Sequence, residues 1–495
     1  MPIYFCPTFA TPCSPAPRND RDSPRPAYWS PASARRLGFI LALLLFAILA
    51  YRPAAAGTFA KSYGTPGGST IIAATAVDTA KQTYVGGSFN SATITLGGVT
   101  LTRIGLKDMF VAKLDSSGNV IWARNFGGGG ASTEPGDIAV DSAGNVYVNG
   151  EFNSASLTTP ALTKIGSQDV FAIKLDSNGG TTWARNFGGS GASLFSFGIA
   201  VDGVFNVYVG GDFTSANLTT PALTKIGNTD VFAIKLDSNG VTTWARNFGG
   251  SGAVAYQTRI AVDGLLNVYL SGLLGFSNLT TPALTRIGSS DALVIKLNSS
   301  GGTTWARNFG GANADVNGTI AVDSAGNVYL GGYFQTANLT TPALTRIGNT
   351  DIFAAKLDTN GTTTWAKNFG GSAASALLYQ IAVDGAGNVY LSGTFNNANL
   401  TTPALTKIGV NDAYAIKLTA TGNTAWARNF GGSGASALAS SIAVAGDGNV
   451  YLGGQFSGAS LTRPALSKIG TVDAFIFNIP GVQAPGPAIL NLLLN

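Results

Sequence analysis

The chain has no histidine, and its two cysteines, Cys6 and Cys13, both lie near its start. Without histidine there is no Ser-His-Asp triad and no histidine metal site. Without cysteine beyond residue 13, the rest of the chain has no disulfide and no thiol nucleophile. Glutamate is almost absent, with Glu134 and Glu151 as the only two, so a glycosidase pair of carboxylates would have to recruit aspartates. Charge is scarce at 11% of residues, a level that marks disorder when apolar residues are also few. Here 45% are hydrophobic, many of them β-branched or aromatic, so a core can form. The basic excess is confined to the N-terminus: residues 1–56 carry six arginines against Asp20 and Asp22, leaving 24 basic and 23 acidic side chains after them. A body so close to neutral offers no general electrostatic footprint for nucleic acid. Glycine, in contrast, is abundant, with 65 residues. It clusters with Asn, Ser and Thr between short apolar runs, which is how a many-stranded β protein is punctuated.

Residues 1–36 are rich in Pro and Arg and precede an apolar run, Leu37–Ala50, followed by Ala54-Ala55-Ala56. A basic flank, a short apolar segment and small residues at the −3 and −1 positions read as a secretory signal cleaved after Ala56. The apolar run falls short of the roughly 20 residues that a spanning helix needs. The expectation is therefore a signal peptide over 1–56, a mature chain with no membrane span, and a secreted, cell-surface or periplasmic location.

Internal repeats organise the remainder. Trp-Ala-Arg-Asn-Phe-Gly-Gly begins at Trp122, Trp183, Trp244, Trp305 and Trp426, with a Lys variant at Trp365 and a worn copy at Phe59–Gly64. Ile-Ala-Val-Asp followed by Asn-Val-Tyr recurs, with some drift, from Ile138 to Ile442 and has a worn first copy at Ala76-Val77-Asp78 and Tyr84. Asp-x-Phe-x-x-Lys-Leu recurs, with some drift, from Asp108 to Asp473. Each marker counts seven at a period of about sixty-one residues. Each unit reads as four strands, A to D. In the third, A is 197–201, B is 206–213, C is 231–236 and D is 242–248, with tight A–B and C–D turns and period-two alternation along C. The seventh unit has no D strand of its own, and 58–64, with Phe59 in the place of Trp, supplies it. The units IAVDSAGNVYLGG (320–332), DVFAIKLDSNG (230–240) and TTWARNFGG (303–311) resemble the SBBP repeat of bacterial exported proteins, a family named for a seven-bladed β-propeller. The resemblance covers 58–479 and implies an architecture without implying an activity. The expected fold is thus all-β: a single seven-bladed β-propeller over 57–480, four antiparallel strands per blade, closed by an N-terminal strand that completes the last blade, with a C-terminal tail over 481–495.

Most polar repeats have a structural use. Asp141, Asp202, Asp263, Asp323 and Asp384 stand alone in their A–B turns, without the alternating oxygens of a calcium loop, and read as turn caps. Arg103, Lys164, Lys225, Arg286, Arg346, Lys407 and Lys468 each precede a strand-C Asp by five residues and read as local ion pairs or solvated cations. Neither set implies a metal or cofactor, and no catalytic residue is identified. Function on a symmetric scaffold has to come from residues that break the symmetry, and no convergent off-pattern acid–base cluster is visible. Two functions stay open. The favoured one is an exported scaffold, not an enzyme, that binds an extracellular protein, glycan or surface polymer. The alternative is a glycosidase- or lyase-type enzyme acting on an extracellular polysaccharide at the channel mouth. The D–A and B–C loops share one face of such a unit, and all the length variation falls there. Sequence varies in the D–A loops too, which makes that face the expected binding side and Tyr256, Arg259 and Asp315 the candidate binding residues.

Overall fold

The computed structural model describes residues 58–312 and 315–481; the expected signal segment 1–56 and all of the expected tail beyond Gly481 lie outside the described residues. Every named element among the described residues is a β-strand, and among them there is no helix long and apolar enough to cross a membrane. In the third unit, strand A is Ser193–Val201, B is Val207–Thr214, C is Thr229–Leu236 and D is Thr242–Phe248. They pair antiparallel in that order, and the same order recurs along the chain. The architecture is all-β and propeller-like.

The turn chemistry explains why the hairpins form. The Asp202 carboxylate accepts the backbone N–H groups of Val204 (3.0 Å) and Asn206 (2.9 Å), the Asn206 side-chain amide (2.8 Å) and the Tyr208 hydroxyl (2.9 Å). One Asp thus satisfies the turn and the buried Tyr of the next strand together. The fourth residue of this turn has a left-handed backbone. Glycine takes it without strain in the second unit (Gly144, φ 78), whereas Phe205 (φ 68) and Leu266 (φ 64) hold it with a side chain.

Strand A is longer than the sequence pattern suggested, starting at Ser193 where 197 was expected. The reason is a bulge. The A–B register shifts between Ser196 and Gly198, so the period-two alternation breaks inside the strand and only its second half is legible. Equivalent shifts occur between Pro135 and Ile138, Tyr256 and Arg259, and Leu378 and Gln380. The fifth unit, one residue shorter in this region, pairs its A strand (Asp315–Val322) without a shift. Between B and C lies a short hairpin that the sequence did not reveal, such as Leu157–Thr158 with Ala161–Leu162.

Each core forms between units. Phe171, Ile173 and Leu175 pack against Tyr84, Val111 and Trp122 of the unit before, whereas Val170 and Ala172 pack with Val209 and Phe232 of the unit after. Both faces of each sheet are therefore buried. Trp183 shows how neighbours lock. Its Nε1 donates to the Ser238 carbonyl (3.1 Å) in the following C–D turn, where a Cβ on Gly240 would collide with the indole.

The two chain termini meet in one sheet. Ala60–Tyr63 pairs antiparallel with Val472–Ile479, which pairs in turn with Val450–Ser457. Phe59, 7% exposed, packs against Tyr451 (ring centroids 6.2 Å) and against Gly118, where a Cβ would strike its ring. This is how Trp183 meets Tyr147 (6.4 Å) and Gly240. The Asn478 side-chain oxygen accepts the Phe59 N–H (2.7 Å), and the Asn478 N–H donates to the Phe59 carbonyl (3.1 Å).

Candidate functional site

The first strands of successive units pack side by side, and strand A of the seventh (Ser436–Val444) packs against strand A of the first (Thr70–Val77). The symmetry breaks along these innermost strands and the inner positions of their B partners. One column of cross-strand pairs runs Ile71–Ser88, Glu134–Glu151, Phe195–Asp212, Tyr256–Leu273, Asn317–Tyr333, Leu377–Thr394 and Leu438–Gln455. No residue type dominates it, unlike the columns of Asp, Trp and Tyr elsewhere in the repeat. The chain's only two glutamates face each other in it, with Asp212 at the Glu151 position of the next unit.

These carboxylates share an electrostatic environment. Glu134 takes an ion pair from Lys107 and a hydrogen bond from the Ser88 hydroxyl (3.3 Å). Burial raises the Glu151 carboxyl to about 7; the Glu134 charge adds to the rise, and bonds from the Ser196 backbone and Gln168 side chain oppose it. Asp212 is 3% exposed. Burial pushes it up to about 8, the Glu151 charge adding to the effect, although the Gln257 backbone N–H donates to it (2.9 Å). Two acids thus hold protons around neutral pH beside a carboxylate anchored by an ammonium.

On the same strand as Glu134, Ser132–Val140, burial also raises Asp137, and the Arg259 guanidinium, 3.8 Å away, opposes the rise. Asn149 fixes this corner: its side-chain oxygen accepts the Asp137 N–H (2.6 Å), and its amide donates to Ser196 Oγ and the Gly198 carbonyl (2.8 Å). Arg259 also donates to the Phe197 carbonyl (2.6 Å). It lines a cavity of about 220 Å³ with Phe197, Gln257, Tyr333 and Tyr379. A larger cavity of about 660 Å³ lies at the seam of the termini, lined by Phe59, Phe430 and Phe477 and by no carboxylate.

The structure relocates the candidates taken from the loops. Tyr256 and Arg259 lie within strand A of the fourth unit, Val254–Val262, on either side of its bulge, and Asp315 opens strand A of the fifth. The arrangement joins Arg259 to Asp137 and to the axial cavity. The repeated Lys and Arg residues do not pair with their Asp neighbours, as expected, but cap backbone carbonyls: Lys164 donates to Gly166 and Arg103 to Asn90 and Leu106 (2.5 and 2.8 Å). The Asp is occupied elsewhere, Asp169 accepting from the Ile165 and Gly166 N–H groups (both 2.7 Å) and from Asn186 (2.9 Å).

A chain of antiparallel four-stranded repeats with these inter-unit cores has the architecture of the β-propeller repeat class. Within that class it carries the SBBP β-propeller repeat, whose family model matches residues 121–156 and 182–218. An uncharacterized WD repeat-containing protein of Acanthamoeba polyphaga mimivirus is 24% identical over 416 residues, covering 65% of this chain. The match spans 29% of that protein's length. Solved structures similar to this one include the polysaccharide lyase Uly1 (TM-score 0.45, 9% identity, 83% of this chain and 90% of that one). A second is an ulvan lyase (0.42, 9%, 83% and 97%). A third is a virginiamycin B lyase from Staphylococcus aureus (0.40, 10%, 85% and 99%). At these identities the likeness concerns architecture and assigns no chemistry to this chain.

The expectation that the chain is not an enzyme is corrected to this extent: solved structures similar to it include polysaccharide lyases, so the architecture does not exclude catalysis. The physical ground for that expectation, the absence of a convergent acid–base cluster, fails as well. Glu134, Glu151 and Asp212 converge across two adjacent units.

Proposed function

We propose that the repeats close as a seven-bladed propeller, that the chain is exported, and that it cleaves an extracellular polysaccharide at the carboxylate cluster beside the axis. Closure is supported by the sheet that joins the termini and by the core shared between Phe59, Tyr451, Ile72 and Phe110. Export is supported by the apolar run Leu37–Ala50 and the Ala54-x-Ala56 site.

The observation that carries the catalytic reading is Glu151, a carboxyl held at about 7 opposite Glu134. Cleaving a glycosidic bond at neutral pH needs one carboxyl that still holds a proton for the leaving oxygen and a second that is available as a carboxylate. In this assignment Glu151 is the acid, Glu134 on Lys107 is the second carboxylate, and protonated Asp212 keeps further negative charge away from Glu151. Arg259 and Tyr256, both on strand A of the fourth unit, meet the polymer beside it.

The test is release of new chain ends from a panel of neutral and uronate-containing polysaccharides. Glu151→Gln is expected to lower the rate by about 10²-fold or more while the melting temperature holds. Polymer that is bound but never cut would return the chain to the binding reading, and an unimpaired Glu151→Gln would refute the assignment.

A further inference from the structure

A second feature breaks the repeat outside the inner strands. After the B strands of the second to seventh units the chain passes through one residue of left-handed backbone: Ser154 (φ 65), Ser215 (φ 71), Thr336 (φ 66) and Asn397 (φ 64) in four of them, Gly458 (φ 76) in the last, but Phe276 (φ 66) in the fourth. Glycine and Asn take this conformation readily, whereas a bulky side chain such as Phe276, like Phe205 in its turn, holds it at a cost. Phe276 gains nothing from burial in return, being 77% exposed. A large apolar side chain kept in a strained, solvent-facing position does not help the fold, which points to a use outside it.

Its surroundings are polar. Phe276 lines an open cleft of about 460 Å³ with Ser251, Ser277, Asn278, Thr280 and Arg286, within the roughly 300–1,000 Å³ of small-ligand sites. The Asn278 side-chain oxygen accepts the backbone N–H of Arg286 (2.8 Å), which leaves its amide hydrogens as donors. The Arg286 guanidinium is held by the Ser289 carbonyl (2.6 Å). The cleft therefore presents one flat apolar ring among hydroxyl, amide and guanidinium groups.

We infer that this cleft is a saccharide subsite, in which the apolar C–H face of a sugar ring lies on Phe276 and its hydroxyls meet Ser251, Asn278 and Thr280. A protein partner fits less well, because an aromatic anchor for a protein needs neighbouring apolar surface that excludes water, and this ring is bordered by polar side chains. The inference rests on the polysaccharide reading for the class of ligand and is independent of catalysis. The subsite holds polymer that the axial cluster works on.

The experiment is native affinity electrophoresis of the full chain through gels cast with a neutral β-glucan or a uronic-acid polymer, with the melting temperature measured in parallel. Phe276→Asn, the residue at the equivalent position 397, is expected to weaken retention about tenfold, in line with the loss of one aromatic contact, and to melt at the same temperature or higher. Phe276→Trp is expected to retain binding. Glu151→Gln is expected to be retained like the wild type, which separates the two readings: an active Glu151→Gln refutes the catalytic assignment without touching the subsite. Wild type that neither gel retards, or Phe276→Asn retarded as strongly as wild type, would overturn the subsite. So would a lowered melting temperature on loss of the ring, since it would give Phe276 a structural role.

Discussion

Replacing Phe59 by Ala tests whether the N-terminal strand completes the last sheet. Phe59 is 7% exposed and packs on Tyr451 and Gly118, at the place that Trp takes in the other units. Truncating a buried Phe to Ala costs about 3–5 kcal/mol. The neighbouring cavity of about 660 Å³ leaves room for the site to relax, so the lower end, about 3 kcal/mol, is expected. With a urea m-value of about 3 kcal/mol/M or more, the unfolding midpoint falls by up to about 1 M. The assay is urea unfolding followed by tryptophan fluorescence. Phe59→Trp is the control: it restores the residue of the other repeats beside a cavity able to take it, and is expected within about 1.5 kcal/mol of wild type. An unchanged midpoint for Phe59→Ala, or equal damage from both variants, would refute the closure argument.

Three further outcomes follow from particular residues. Asp202→Ala strands the buried Tyr208 hydroxyl and two turn N–H groups, and is expected to cost about 2–4 kcal/mol; chelators should leave stability unchanged, which urea unfolding with and without EDTA would check. Phe205→Gly relieves a side chain from left-handed backbone and is expected to stabilise by about 1 kcal/mol, read as a raised midpoint. Asp212 and Glu151 bind protons more tightly folded, at about 8 and 7, than unfolded, near 4. Their contribution is most favourable below the unfolded value and is lost as pH rises through 7 and 8, so Asp212→Asn should gain stability relative to wild type from pH 5 to pH 9.

The regular parts of the fold were legible in sequence because they repeat. Strand D of the third unit spans the expected 242–248, since TTWARNF alternates without interruption, and the missing seventh D strand was found from the worn copy Phe59–Gly64, which the repeat count left over. Strand A was read short because the bulge at Ser196–Gly198 breaks its period. The Leu-Thr and Ala-Leu hairpins were missed because two-residue strands carry no periodicity. The carboxylate cluster was missed for a different reason. Glu134 and Glu151 are separated by a turn and a half-read strand, and Asp212 lies one repeat beyond Glu151, so none looks paired along the chain. Stacking the repeats in register exposes the signal: a column holding Ser88, Glu151, Asp212, Leu273, Tyr333, Thr394 and Gln455 is too varied to serve packing alone. The exposed Phe276 stands out in the same comparison, among Ser, Thr, Asn and Gly at its equivalent positions.

The pH dependence of polysaccharide cleavage tests the central claim most directly. With Glu151 as the proton donor, kcat/KM on the responsive polymer should fall on the alkaline side of a midpoint near 7, where that carboxyl loses its proton. Lys107→Met removes the ammonium from Glu134 and, by strengthening the effect of the Glu134 charge on Glu151, should shift the midpoint upward. An alkaline limb near 7 that vanishes in Glu151→Gln is the predicted result. A profile flat between pH 5 and 9, or a limb that survives the substitution, would contradict it.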